Sequence, residues 1–192
     1  LNKNLKKEEF IKEVLQGILP PPQYFPKNVK LNQVIIKKTV EQIIASGTKP
    51  LSIKDFDNKV KNGALILDVR HQKDFVKGFI PNSWFIGING GFAPWVGSLI
   101  KNINQKIVIV CPEGREEEVV TRLARVGYDN AEGYLKGSFV SWKKTGRKID
   151  TIIQETTTGL EEKNKKEINI LDVRKSTEYN VEHIESAENK PL

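Results

Sequence analysis

"ILDVRHQKDFVKGFIPNS", Ile66 to Ser83, opens on the end of the apolar run Ala64–Val69, closes that run with Asp-Val-Arg, and passes into a polar stretch. An uninterrupted apolar run, rather than strict alternation, suits a strand buried on both faces of a parallel sheet. Downstream, a short helix is expected around "QKDFVKG", a strand at "SWFIGI", a helix near "APWVGSLIKN" and a second continuous apolar strand at "KIVIVC". A helix "EEEVVTRLARVG" follows with Gly127 as C-cap, then "NAEGYLKG", a helix near "FVSWKKTG" and a final "IDTII". Upstream, Ser52 is the expected N-cap of a helix carrying Phe56 and Val60, with Asp55 at its third position. Strands separated by helices imply right-handed crossovers and a three-layer α/β domain, a parallel sheet flanked by helices.

The same pattern returns. "ILDVRKSTEYNVEHIESA", Ile170 to Ala187, repeats the apolar strand, the Asp-Val-Arg, an acidic residue followed by an aromatic one, and a later isoleucine. The offset from Asp68 to Asp172, 172 minus 68, is 104 residues. Two copies of one domain explain it, the second stopping before any counterpart of the segment around Cys111.

At the N-terminus, Phe10, Ile11, Val14, Leu15 and Ile18 recur at helical spacing, with Gly17 near the helix end, before "PPPQYFPKN" enforces an extended passage. Residues 34–50 read as a linker or hinge containing a short helix, "TVEQIIAS", and a turn at Gly47 and Pro50. A second linker is expected at 155–167. The chain begins without methionine and contains none, so it reads as a piece of a longer polypeptide.

A 192-residue chain that is 38% hydrophobic and 29% charged supports one full core and part of another. Its net charge of +7 is spread along the sequence and interleaved with glutamates, without the aromatic-studded basic stripe of a nucleic-acid surface. The longest apolar runs fall well short of the roughly 20 residues that span a bilayer. One cysteine cannot form an internal disulfide, which fits a reducing, cytoplasmic setting. Neither of the two histidines, His71 and His183, belongs to a ligand cluster, so no metal is expected in this chain.

The paired Leu-Asp-Val-Arg segments, the strand ending at Cys111, Gly127-Tyr128 and "GYLKGSFVSWKKTG" together resemble the rhodanese-like family. The resemblance implies a three-layer rhodanese-like domain at 51–154 and the incomplete start of a second at 168–192. Gly78-Phe79-Ile80, Glu182-His183-Ile184 and Gly137-Ser138-Phe139 depart mildly from the family pattern. Residues 1–33, with "PPPQYFPKNVKLN", look like the C-terminal tail of metallo-β-lactamase-fold proteins that carry rhodanese repeats, some of which are persulfide dioxygenases. The resemblance therefore implies a zinc or iron site in an upstream domain. The implied partners are that domain, the rest of the second copy, and small sulfur-donor anions or thiols, with no nucleic acid and no membrane; homo-oligomer formation is compatible with it.

In that family the cysteine is the nucleophile and the loop amides, with the following glycine and arginine, hold anions. Here these would be Cys111, Gly114 and Arg115. Two registers fit. Aligning on Leu123 and Gly127-Tyr128 puts Arg115 at the family arginine and Val110 at the nucleophile position, whereas a loop shortened by one residue restores Cys111, with Gly114 three residues after it. Pro112 removes an amide donor, Glu113 adds a carboxylate, and Glu116, Glu117 and Glu118 crowd the helix start, so a degenerate site is expected. A phosphatase cradle would need arginine where Glu117 stands. Asp68 with Arg70, and Asp172 with Arg174, are expected to be scaffold pairs at strand ends; in "GGFAPWV", Gly90 to Val96, Phe92 and Trp95 are expected to pack in the core, the alternative being that the stretch lines an interface or the mouth of a pocket. The first copy is thus expected to be a scaffold or a surface for handling persulfide. An active sulfurtransferase using Cys111 and a protein-interaction module unrelated to sulfur are the alternatives.

Overall fold

A computed structural model of the chain describes residues 6–15, 25, 26, 29, 38–161 and 168–192. They fall into two compact units, Leu1–Ile152 and Ile153–Leu192. In the first, five strands, β1 (Pro50–Leu51), β2 (Leu65–Asp68), β3 (Trp84–Phe85), β4 (Ile107–Val110) and β5 (Ala131–Leu135), form one sheet in the order β1-β5-β4-β2-β3. Every pairing is parallel.

The two central strands are continuously apolar because helices cover both faces. Side chains alternate across β4: Ile107, Ile109 and Cys111 enter one core, while Val108 and Val110 enter the other. The first core is covered by α2 (Val40–Gly47), α5 (Phe92–Leu99) and α6 (Glu116–Ala124), through Ile43, Phe92, Val96, Val119, Val120 and Leu123. The second is covered by α3 (Ile53–Lys61) and α7 (Ser138–Lys144), through Phe56, Phe139 and Trp142. Between β2 and β3 lies the short α4 (Gln72–Phe75). Ser52 caps α3 by accepting the Asp55 amide at 3.2 Å. Gly127, at φ +85°, ends the α6 segment, its N–H donating to the Ala124 carbonyl.

The linker expected at 34–50 is corrected from Thr39 onward. Thr39 and Gln42 form a capping box at the start of α2, Ile43 is buried in the first core, and Pro50–Leu51 is an edge strand paired with β5. Gly47 is a contact point rather than a simple turn, since a Cβ there would lie 2.6 Å from a Val120 methyl. Residues 34–37 lie outside the described residues. So do Gly17, Ile18 and most of "PPPQYFPKN". The helix α1 (Lys7–Leu15) forms, with Phe10, Ile11, Val14 and Leu15 all exposed.

The second unit contains α8 (Thr157–Glu161), β6 (Leu171–Asp172), α9 (Ser176–Tyr179) and β7 (Glu188–Asn189), with β6 and β7 paired in parallel. Of the linker expected at 155–167, residues 157–161 are helical and 162–167 lie outside the described residues.

Candidate functional site

The C-terminal end of β4 delivers Cys111 into a five-residue turn that ends where α6 begins. Gly114 takes φ +82°, a left-handed conformation that glycine adopts without a Cβ clash, and the Arg115 amide donates to the Pro112 carbonyl at 3.3 Å. Strand alternation puts the sulfur on the α6 side of the sheet and the Val110 side chain on the α3–α7 side. The thiol is sealed there, 2% exposed, and among the described residues no hydrogen bond ends on its sulfur.

The loop has its own anion. The Glu116 carboxylate accepts the Gly114 N–H at 3.2 Å, taking an amide that an anionic sulfur donor would otherwise need. The same carboxylate is the second cause, after burial, of a thiol pKa pushed up to about 12; Asp68 adds to the rise and Arg115 opposes it. A value so far above neutral favours the protonated thiol. Arg115 holds Glu118 through Nε at 2.8 Å and Nη2 at 2.9 Å, and donates from Nη1 to Asn89 Oδ1 at 3.0 Å. These bonds keep the Glu118 carboxyl below the usual range. Cys111, Gly114 and Arg115 thus share one loop, but glutamates engage both the Gly114 amide and the guanidinium.

Asn89 and Arg122 escaped the sequence reading. Arg122 donates to the carbonyls of Ile88 and Gly90, and so fastens the 87–91 loop beside the Cys111 turn. The spacing of Glu118 and Arg122, four apart on a helix, was the available signal.

Beside Cys111, β2 ends on Asp68, in register with Val110. Arg70 closes a clasp on it: its amide donates to Oδ1 at 3.1 Å, Nε to Oδ1 at 2.9 Å and Nη2 to Oδ2 at 2.6 Å. Nη2 also reaches the Gly78 carbonyl at 2.9 Å, and the guanidinium lies over the Phe139 ring. Burial raises the Asp68 pKa against the lowering effect of these bonds and of the Arg70 charge. The clasp recurs at Asp172 and Arg174, where Nη2 reaches the Glu182 carbonyl.

The sequence of residues 52–145, which holds β2 to β5 and this loop, matches the family described as the rhodanese-like domain. The chain carries a rhodanese-like domain. Among solved structures, a rhodanese-like domain protein from Staphylococcus aureus is 23% identical, the match covering 55% of this chain and 100% of that one with a TM-score of 0.41. A metallo-beta-lactamase from the same organism is 19% identical, with 68% of this chain and 35% of that one covered at a TM-score of 0.52. A thiosulfate sulfurtransferase from Pseudomonas aeruginosa is 16% identical over 89% of this chain and 37% of its own, at a TM-score of 0.46. No curated protein sequence matches the chain. At such identities the likeness is one of fold, and the chemistry rests on the site.

Elsewhere in the rhodanese-like domain, Phe92 is buried as expected from its sequence, but Trp95 is corrected: it is 44% exposed, one helical step round from the core-facing Val96. His71 caps α4 by accepting the Lys73 amide, and in the second unit His183 stacks on Tyr179. Among the described residues, no group of three or more His, Cys, Asp or Glu side chains is placed to hold a metal ion. Among them, no helix is long and apolar enough to cross a membrane.

Proposed function

We propose that the rhodanese-like domain is a non-catalytic module of a sulfur-metabolising protein of the metallo-β-lactamase and rhodanese type, acting as a scaffold or as a surface for handling persulfide. One observation carries this reading: Cys111 is sealed from solvent, beneath a loop whose Gly114 amide is already taken by Glu116. Sulfur transfer from thiosulfate requires a thiolate to attack the outer sulfur, forming a new S–S bond while sulfite leaves with the electron pair of the old one. Here burial and the Glu116 carboxylate both disfavour the thiolate, and the same carboxylate opposes an incoming dianion.

The wider context in this reading is an upstream metallo-β-lactamase-like domain carrying zinc or iron, a second rhodanese copy beginning near residue 168, and a cytoplasmic setting. It is supported by the sequence of residues 1–33, by the recurrence of the Asp-Val-Arg clasp, and by the fold shared with the S. aureus metallo-beta-lactamase. The test is intact mass after exposure to thiosulfate or glutathione persulfide. No gain is expected; a gain of about 32 Da, one sulfur, that disappears in Cys111→Ser would establish a working transferase instead.

A further inference from the structure

Across the sheet from Cys111, the second core of the rhodanese-like domain has a gap in it. Between α3, β2 and α7 lies an open cavity of about 260 Å³, walled by Phe56, Val60, Ile66, Ile80, Pro81 and Trp142. Phe56 and Trp142 meet edge to face there, with ring centres 6.2 Å apart. The walls offer a ligand little to hydrogen-bond: Pro81 has no amide N–H, and the Trp142 indole N–H is spent on the Lys148 carbonyl at 3.0 Å.

Asp57, Arg147 and Lys148 complete the lining. The Arg147 guanidinium lies over the Trp142 ring, 4.8 Å from its centre, and donates from Nη1 to Asp57 Oδ2. Those two contacts hold it in place, yet among the described residues its adjacent Nε and Nη2 donors have no acceptor. Lys148 is exposed and meets Asp150 only at 3.7 Å. One aspartate against two cations leaves the lining with one excess positive charge.

We propose that this cavity binds a small monocarboxylate with a single aromatic ring, of the phenylacetate class, its ring against Phe56 and Trp142 and its carboxylate on Arg147. Size selects the ring. An apolar cavity of about 150 Å³ holds benzene, and sites for drug-sized ligands start at roughly 300 Å³, so this one admits a ring with a short side chain and little more. Charge selects the acid. Two adjacent unfilled donors on one guanidinium take a carboxylate through parallel hydrogen bonds, and a monoanion matches the single excess positive charge. A dicarboxylate or a phosphate monoester would set a second negative charge beside Asp57.

The test titrates the isotope-labelled full chain with phenylacetate, and in parallel with phenylacetamide, its neutral isostere, while NMR follows the three tryptophan indole N–H signals. Phenylacetate is expected to shift the Trp142 signal saturably, with a Kd of about 1 mM or below, and to leave those of Trp84 and Trp95 in place. The amide is expected to bind about tenfold or more weakly, having lost the charge-assisted bonds. Arg147→Gln should bring acid and amide to the same affinity; if that variant fails to fold, the comparison of the two ligands on the original chain decides. No saturable shift of the Trp142 signal up to about 10 mM ligand, equal affinity for acid and amide, a preference for the acid that survives in Arg147→Gln, or shifts confined to Trp84 or Trp95 would each overturn the proposal.

Discussion

The two Asp-Val-Arg clasps share their bonds and differ in their electrostatics. In each, arginine Nη2 sits 2.6 Å from the aspartate Oδ2 and reaches a carbonyl eight residues along. Yet the Asp68 side chain is 0% exposed and its pKa is raised, chiefly by burial. Asp172, at 11%, has its pKa lowered, chiefly by the hydrogen bonds from Arg174. The hydrogen-bonding pattern is a local property of the sequence, whereas the energetic consequence depends on what covers it.

The largest break in this comparison should come from Arg70→Met. It strands a buried carboxylate, an error that costs about 3–5 kcal/mol, or a melting temperature lower by roughly 10–20 °C for a domain of this size. Arg174→Met, in the solvated clasp, should leave the melting temperature of the chain close to its original value. Equal losses for the two variants in parallel thermal melts would mean that burial does not separate the clasps. Replacing both partners, Asp68→Leu with Arg70→Met, should recover most of the loss, since a buried pair exchanged for apolar groups is often neutral.

Next in size is the thiol beside the buried clasp. With its pKa pushed up to about 12, Cys111 should alkylate with iodoacetamide at a rate that climbs about tenfold per pH unit, with no plateau up to the pH at which the fold is lost. A plateau near pH 8 or 9 would place the thiolate in a stabilising cradle after all. The linked effect on stability follows from the raised value. The contribution is fully present below the ordinary thiol value of 9.0 and is lost as pH rises through about 12. Cys111→Val should remove that part of the alkaline slope.

The two central strands were legible because each is a short, continuous apolar run, and only a sheet covered on both faces makes that pattern favourable. The α3 cap was legible too, since Ser52 and Asp55 act within one turn. The linker reading of 34–50 failed from Thr39 onward because the local signals at Gly47 and Pro50 are those of a turn. What decides Gly47 is the approach of Val120, 73 positions away in sequence, and no local pattern carries that. The loop chemistry was half legible. Its acidic character could be read off Glu113, Glu116, Glu117 and Glu118, but the choice of Glu116 for the Gly114 amide and of Glu118 for Arg115 is a matter of side-chain direction.

The smallest expected effect is also the most direct measure of the contrast between clasps. Side-chain carboxyl carbons titrated by NMR should place Asp68 above the ordinary 3.8 and Asp172 below it. The linked contributions then carry opposite signs. For Asp68, stability is fully present below 3.8 and lost as pH rises through the raised value, so the buried clasp weakens the fold at neutral pH relative to acid. For Asp172, stability is present above 3.8 and lost as pH falls through the lowered value. Both aspartates titrating below 3.8 would mean that the arginine, not the cover, sets the carboxyl.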